Sequence, residues 1–250
     1  MEAKACKLVI FLLLISQVLF SQKADTSALN TLSKKEKKDG YRLLYDGHTS
    51  AGWRSATGSS FPKQGWEFSN GELCVLPPMD PGKHHGSGGD IVTTEKFAFF
   101  DLLFEYNISS GGNSGLKYFV KNEKGSSTGL ELQLLDDSLH PDGKAGRDGN
   151  HTSLSLYDLI TATKKGAVEN PPGNWNRVRL IVYPDNRVQH YLNGIKVVEY
   201  VKGSEAFKEL VAVSKYKTIP GFAENAEGYI LLQDHGSGIR FRNIKIRSLK

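Results

Sequence analysis

Glu131 and Gln133 lie two apart in the stretch Gly129-Leu130-Glu131-Leu132-Gln133-Leu134-Leu135-Asp136-Asp137, out of phase with Leu130, Leu132 and Leu134. Alternation with period two marks a strand that buries one face. A carboxylate and an amide side by side on the other face, with two more carboxylates where the strand should end, would fill a core badly and line a groove well. A solvated outer face is the plain alternative. Other polar groups fall in comparable positions. Glu105 alternates with Phe104 and Tyr106, and Gln233, Asp234 and His235 end the apolar run from Tyr229. Asn113, Asp136, Lys215 and Arg242 sit at strand ends or in loops. Such residues supply bases, orienting acids and hydroxyl-binding amides. Asp234 cannot share a face with Gln233 and His235 on a regular strand, so one set faces the core or the strand breaks; Gly236 makes a break easy.

The spacing argues against several chemistries. A retaining glycosidase holds two carboxylates roughly 5 Å apart. Sandwich glycanases of the laminarinase type carry Glu-x-Asp-x-Glu on one strand, and here those positions read Glu131, Gln133 and Leu135. Ordinary double displacement is therefore unsupported on this strand, although an acid from another strand could supply the second carboxylate. His84-His85 and the acids of 134–142 are metal-donor types, but no helical His pair, cysteine pair or ring of spaced acids accompanies them. No cofactor is certain; a divalent metal stays a candidate. The net charge is +5, yet Lys and Arg are scattered among acids without interleaved aromatics, so nucleic acid is not an expected partner.

The elements that must position these residues are strands. Asn70-Gly71 joins 66–68 to 73–75, and Asn193-Gly194 joins 188–192 to 195–199; Asn-Gly is a strong hairpin signal. Further strands read at 41–45, 90–94, 102–108, 116–120, 178–183, 229–235 and 239–246, the last with a phase slip at Asn243 that predicts a bulge. One helix is expected over 204–216, capped by Ser204. Residues 77–89 and 137–153 read as loops, the second long enough to be functional or disordered. About a dozen strands and one short helix predict an all-β fold, a jelly-roll β-sandwich with one concave sheet. There is no internal repeat and no glycine-rich phosphate loop.

Lys4 and Lys7 precede an apolar run from Leu8 to Phe20, which reads as a signal peptide over 1–21. A polar linker or short frayed helix at 22–39 and one domain at 40–250 follow. The expected location is exported, periplasmic or extracellular, without stable membrane insertion after cleavage. The mature chain keeps one cysteine, Cys74, so no internal disulfide can form; in a strand it reads as a buried small hydrophobe. Trp53, Trp66 and Trp175 read first as core, His190 as a satisfied sheet residue, and Asn193-Gly194 as a turn only.

Several short motifs recur in a specific order: Leu44-Tyr45-Asp46-Gly47 with Gly52-Trp53, Gly89-Asp90-Ile91-Val92-Thr93, Asn113-Ser114-Gly115, Glu131-Leu132-Gln133-Leu134-Leu135-Asp136, Asn174-Trp175-Asn176, Leu192-Asn193-Gly194, Leu232-Gln233-Asp234-His235-Gly236 and Phe241-Arg242-Asn243-Ile244. Together they resemble the 3-keto-disaccharide hydrolase domain family from about Tyr41 to Leu249. The resemblance implies a concanavalin-like sandwich, export, and a carbohydrate substrate already oxidised at C3. That chemistry needs one base rather than a carboxylate pair, because the ketone acidifies the C2 proton and β-elimination then expels the C1 substituent. On this basis His235 or Glu131 is the expected base, with Asp136 or Asp234 orienting it. Gln133, Asn113, Lys215 and Arg242 would bind hydroxyls or the enolate, and Trp53 or Tyr157 would stack on the sugar. The rival is a non-catalytic carbohydrate-binding module on the same scaffold, since sandwiches host both. A lectin-like assembly protein would instead expose a large apolar patch.

Overall fold

The computed structural model describes residues 28–77, 88–123, 126–166 and 168–250; the leader at 1–21, His84-His85 and most of the loop at 77–89 lie outside them. The described residues form thirteen strands: β1 Arg42–Leu43, β2 Trp53–Ser55, β3 Trp66–Ser69, β4 Glu72–Val75, β5 Ile91–Thr93, β6 Phe100–Ile108, β7 Asn113–Glu123, β8 Ser126–Leu135, β9 Asn176–Val182, β10 Arg187–Leu192, β11 Ile195–Val201, β12 Tyr229–Leu232 and β13 Ile239–Ser248. Two helices join them, α1 Lys34–Lys38 and α2 Glu205–Ala212. One sheet runs β11-β10-β9-β6-β13-β4-β3 with β1 paired to β13; the other runs β2-β5-β12-β7-β8. The molecule is the all-β jelly-roll sandwich that the strand pattern predicts.

Alternation sets the faces. Leu130, Leu132 and Leu134 of β8 meet Leu102, Phe104, Val178, Leu180, Val188 and Phe241 of the larger sheet in one core. Burying each such leucine stabilises the fold by roughly 1.5–3 kcal/mol. Trp53 and Trp66 are core residues, their indole N–H groups donating to Leu44 O (2.7 Å) and Gly89 O (2.8 Å). Both Asn-Gly pairs are hairpin turns with positive φ at each residue, 53° and 79° at Asn70-Gly71 and 48° and 91° at Asn193-Gly194. Cys74 lies half-buried in β4, and burial pushes its thiol up to about 11.

Two departures from regular alternation matter. β13 slips register against β6 between Arg242 and Lys245, with Asn243 at φ 54°, so the expected bulge is present. There Asn30 and Asn243 exchange hydrogen bonds from each backbone N–H to the other's side-chain oxygen (2.7 and 2.9 Å), tying the segment before α1 to the sheet. The second bulge is on β7, between Tyr118 and Lys121, where Phe119 adopts φ 53°. Tyr118 and Phe119 then both enter the core, while Val120 packs in a second buried cluster with Ala56, Val92 and Leu231 on the sheet's other face.

The helix expected over 204–216 ends at Ala212. Ser204 caps its start as predicted, its hydroxyl accepting from Phe207 N–H. Ser214 breaks it, because its hydroxyl accepts the Tyr216 N–H and opens a 3-10 turn at Lys215–Thr218. The strand expected over 229–235 stops at Leu232, which resolves the conflict over Asp234.

A fully buried chain of polar groups joins the sheets. His190 on β10 donates from Nδ1 to Leu154 O (3.0 Å), which leaves Nε2 to accept from the Tyr118 hydroxyl (3.0 Å), itself 2.7 Å from Tyr200 Oη. Burial lowers the His190 pKa to about 4, against the opposing hydrogen bond to Leu154. Its neutral form belongs to the folded state and its charged form to the unfolded chain. Stability is therefore full above about pH 6.5 and falls as pH drops toward 4. Denaturant unfolding should show wild type losing up to about 3 kcal/mol more than His190→Gln across that window; parallel pH profiles would refute the assignment.

Candidate active site

The outer face of the five-stranded sheet carries the polar side chains of β8. Glu131 pairs across the ladder with Lys117, Gln133 with Gly115, and Leu135 with Asn113. Lys117 Nζ is 3.7 Å from Glu131 Oε2. Glu131 is only 6% exposed, so this carboxylate is held in a partly dry setting beside an ammonium group. On the other side of β7 the chain leaves β12 with Gln233, whose N–H donates to Gly115 O (3.0 Å). A Cβ on Gly115 would lie 2.3 Å from Gln233 Oε1 and 3.0 Å from Glu131 Oε1. Glycine here lets both side chains lie flat across the β7 backbone and makes the floor of the site.

The wall comes from the long loop after β8. Its residues 154–157 run along the free edge of β8: Leu154 N–H donates to Gln133 O, Gln133 N–H to Ser155 O, and Tyr157 N–H to Glu131 O. Leu154 and Leu156 join the core, which leaves Tyr157 on the site face beside Glu131. His151 locks this wall. Its Nδ1 is 2.8 Å from Asp142 Oδ1 and its Nε2 is 3.2 Å from Asp158 Oδ1, and its ring stacks on Tyr157 with centroids 4.1 Å apart. The Tyr157 hydroxyl donates to Asp142 Oδ1 (3.2 Å). The Lys215 backbone N–H donates to Asp158 Oδ2 (2.6 Å), which places the Lys215 ammonium 3.9 Å from the centre of the Tyr157 ring.

The charges are coupled. Lys215 as a residue is exposed, yet its ammonium is packed on Tyr157; this desolvation lowers its pKa, while the Glu131 charge opposes the shift. Burial, then the nearby Asp142 charge, raises the Tyr157 pKa and keeps the phenol protonated. Asp90, at the far rim, is raised by burial, against the Asp234 N–H it accepts and the positive field of Lys117 and His235. The Gln133 amide lies between Asn113 Oδ1 and Asp142 Oδ2 (both 3.4 Å) at one end and Ser114 O (3.0 Å) and Glu131 Oε1 (3.3 Å) at the other. With its nitrogen turned to the second pair it donates to the Glu131 carboxylate.

Of the residues singled out in the sequence, Glu131, Gln133, Asn113, Lys215 and Tyr157 gather at this face. His235 lies just past β12, close enough to act on Asp90. Four others are used elsewhere. Asp136 accepts the N–H groups of Gly111 and Ser138 and holds a turn; those bonds outweigh burial and lower its pKa. Asp234 accepts from the N–H groups of Gly88, Gly89 and Gly236 where the chain leaves the sheet. Trp53 is buried in the core and presents no face to a sugar. Arg242 belongs to the larger sheet, donating to Glu105 Oε2 (2.8 Å) with its guanidinium 3.8 Å from the centre of the Trp175 ring. Tyr157 is at the site but not open for stacking: the His151 imidazole and the Lys215 ammonium cannot share one face of its ring, so both faces are covered.

Lys117 and Asp158 carry no expectation from the sequence, and Asp142 and His151 carry only a general one, as a metal-donor type and as part of a loop long enough to be functional. Lys117 was accessible from phase, because it alternates with Leu116 and Tyr118. The other three come from aperiodic loop, where no pattern marks them. Among the described residues no group of three His, Cys, Asp or Glu side chains is placed to hold a metal ion.

The chain is 33% identical to a 3-keto-disaccharide hydrolase of Bacteroides thetaiotaomicron, over 93% of this chain and 86% of that protein. A solved structure from Parabacteroides distasonis, classed provisionally as a glycosyl hydrolase, superposes with a TM-score of 0.78 at 30% identity, covering 89% of this chain and all of that one. A second from the same organism, classed the same way, gives 0.59 at 25% identity, over 79% of this chain and 99% of that one. Residues 40–247 match the profile of the 3-keto-alpha-glucoside-1,2-lyase-like domain, from just before β1 almost to the end of β13, and the chain belongs to that family.

Proposed function

We propose that this chain is an exported enzyme that cleaves the glycosidic bond of 3-keto-glycosides by removing the C2 proton and eliminating the C1 substituent. The observation that carries this reading is the buried Glu131 carboxylate in the joint field of Lys117 and Lys215. The substrate class comes from the names of the relative and of the family. Export rests on the basic, apolar leader; among the described residues no helix is long and apolar enough to cross a membrane.

A ketone at C3 makes the C2 hydrogen acidic. Glu131 takes that proton, and the C2–H electron pair becomes the C2=C3 bond of an enolate whose charge sits on O3. A nearby ammonium, Lys215 with its lowered pKa, stabilises that oxygen. The enolate then collapses: C3=O re-forms, C1=C2 forms, and the C1–O bond breaks. The aglycone leaves as the alcohol after taking one proton, so the elimination is proton-neutral. Water added across C1=C2 completes a net hydrolysis. Lys117 stands across the ladder with its ammonium 3.7 Å from the Glu131 carboxylate, and the His151 clamp holds Tyr157 and Lys215 in place. A binding module would rely on open aromatic faces, and the covered ring of Tyr157 favours catalysis over that rival.

Three outcomes test this. Purified protein should release product from a 3-keto-disaccharide and not from its unoxidised parent; cleavage of the parent would replace elimination by conventional hydrolysis, and loss of activity with chelator would add a divalent metal. Glu131→Gln should lower kcat by about 100-fold or more with the circular dichroism spectrum unchanged; an unaltered kcat would remove Glu131 as the base. Gly115→Ala meets only the ends of two flexible side chains, so unfolding free energy should shift by about 1 kcal/mol or less while kcat falls at least about tenfold. Loss of stability with activity retained would mean that the glycine serves packing instead.

A further inference from the structure

Gln233 is 4% exposed, and its side-chain oxygen is buried without a hydrogen-bond donor among the described residues. Most buried side-chain polar atoms have a partner, and one left without carries its full desolvation penalty. This oxygen is not lost in the core. It lies over Gly115, 2.3 Å from where a Cβ would stand, and Glu131 Oε1 lies 3.0 Å from the same point. Two acceptor oxygens thus converge on one spot at the floor of the site. Neither can satisfy the other, because an amide carbonyl and an ionised carboxylate both lack a proton to give. The Gln133 amide, with its nitrogen toward Glu131, serves the carboxylate and leaves the Gln233 oxygen unserved.

We infer that Gln233 is a specificity residue whose side-chain oxygen accepts a hydrogen bond from the C2 hydroxyl of the substrate. This rests on Glu131 being the base of the proposed elimination. The base must approach the hydrogen on C2, and the hydroxyl on that same carbon is then the donor nearest to a second oxygen beside the carboxylate. The contact also orients the ring, turning the C2 hydrogen toward the Glu131 carboxylate for removal. A site built around a buried acceptor disfavours analogues that lack the donor, because the acceptor is then left unpaired.

The test compares a 3-keto-glycoside with its 2-deoxy and 4-deoxy forms. The 2-deoxy sugar still has C2 hydrogens, so elimination remains chemically open to it. Rates are normalised to the hydroxide-promoted elimination of each sugar without protein. Wild type should show a kcat/KM about 10- to 100-fold lower for the 2-deoxy sugar, with a smaller loss for the 4-deoxy sugar. Gln233→Leu should lose a similar factor on the parent keto sugar and change by less than about twofold on the 2-deoxy sugar, the coupling expected of a direct contact. Equal normalised rates for parent and 2-deoxy sugar would overturn the contact while leaving the elimination intact. A larger loss with the 4-deoxy sugar would overturn the assignment to C2. If the parent is not cleaved at all, the elimination reading fails. Calorimetric binding to the wild-type protein, which leaves the parent uncleaved in that case, then decides the contact alone: weaker binding of the 2-deoxy sugar upholds it and equal binding overturns it.

Discussion

The antiparallel ladder between β7 and β8 is the constraint on which the rest depends. It fixes which residues stand opposite each other: Lys117 against Glu131, Gly115 against Gln133. Because the side-chain period of a strand is two, the same register that sends Leu130, Leu132 and Leu134 into the core sends Glu131 and Gln133 to the outside. A slip of one residue would turn the carboxylate into the apolar core and the leucines onto the site face. The apolar core therefore enforces the polar site, and the bulge at Phe119 confines the change of phase to the far end of β7.

Beyond that ladder, the site is assembled by backbone that imitates a strand. Residues 154–157 lie against β8 through main-chain hydrogen bonds, and His190 grips Leu154 O from the opposite sheet. At the loop's other face, Ser153 N–H donates to Asp137, its hydroxyl donates to Glu169, and Lys164 bridges both carboxylates at 2.7 Å. A loop held from three sides can carry Tyr157 and the His151 clamp with the precision a reaction requires. The halt of α2 before Ser214 belongs to the same design, because a continued helix would not present the Lys215 N–H to Asp158.

The larger sheet has the opposite character. Its outer face satisfies its charges internally: Asp101 receives both Arg179 and Arg247, and Glu105 receives both Arg242 and Arg177. The Arg179 and Arg247 guanidiniums hold the Asp101 carboxyl below its usual range despite burial. Such pairs lock geometry and leave few unspent donors or acceptors. The outer face of the smaller sheet carries instead the Glu131–Lys117 pair, with the unserved Gln233 oxygen just past β12 and the desolvated Lys215 in the turn beside Tyr157.

Local rules carried the fold. The period-two strands, both Asn-Gly hairpins, the Ser204 cap and the bulge at Asn243 depend on neighbours in sequence, so the chain alone specified them. The side of β8 on which Glu131 and Gln133 stand was likewise legible, because burial of three leucines leaves one choice of face. Local rules could not say what lies across from that face. Asp136, Asp234, Trp53 and Arg242 carry chemically suitable groups, but whether a carboxylate meets a substrate or a turn's N–H groups depends on chain folded against it from far away. His151, Asp142 and Asp158 meet only when an aperiodic loop closes on itself, and Lys215 reaches Tyr157 only because a distant helix ends where it does. Sequence determined the strands and their faces because those depend on spacing along the chain; the tertiary structure alone decided the site, because its contacts join residues that no periodicity relates.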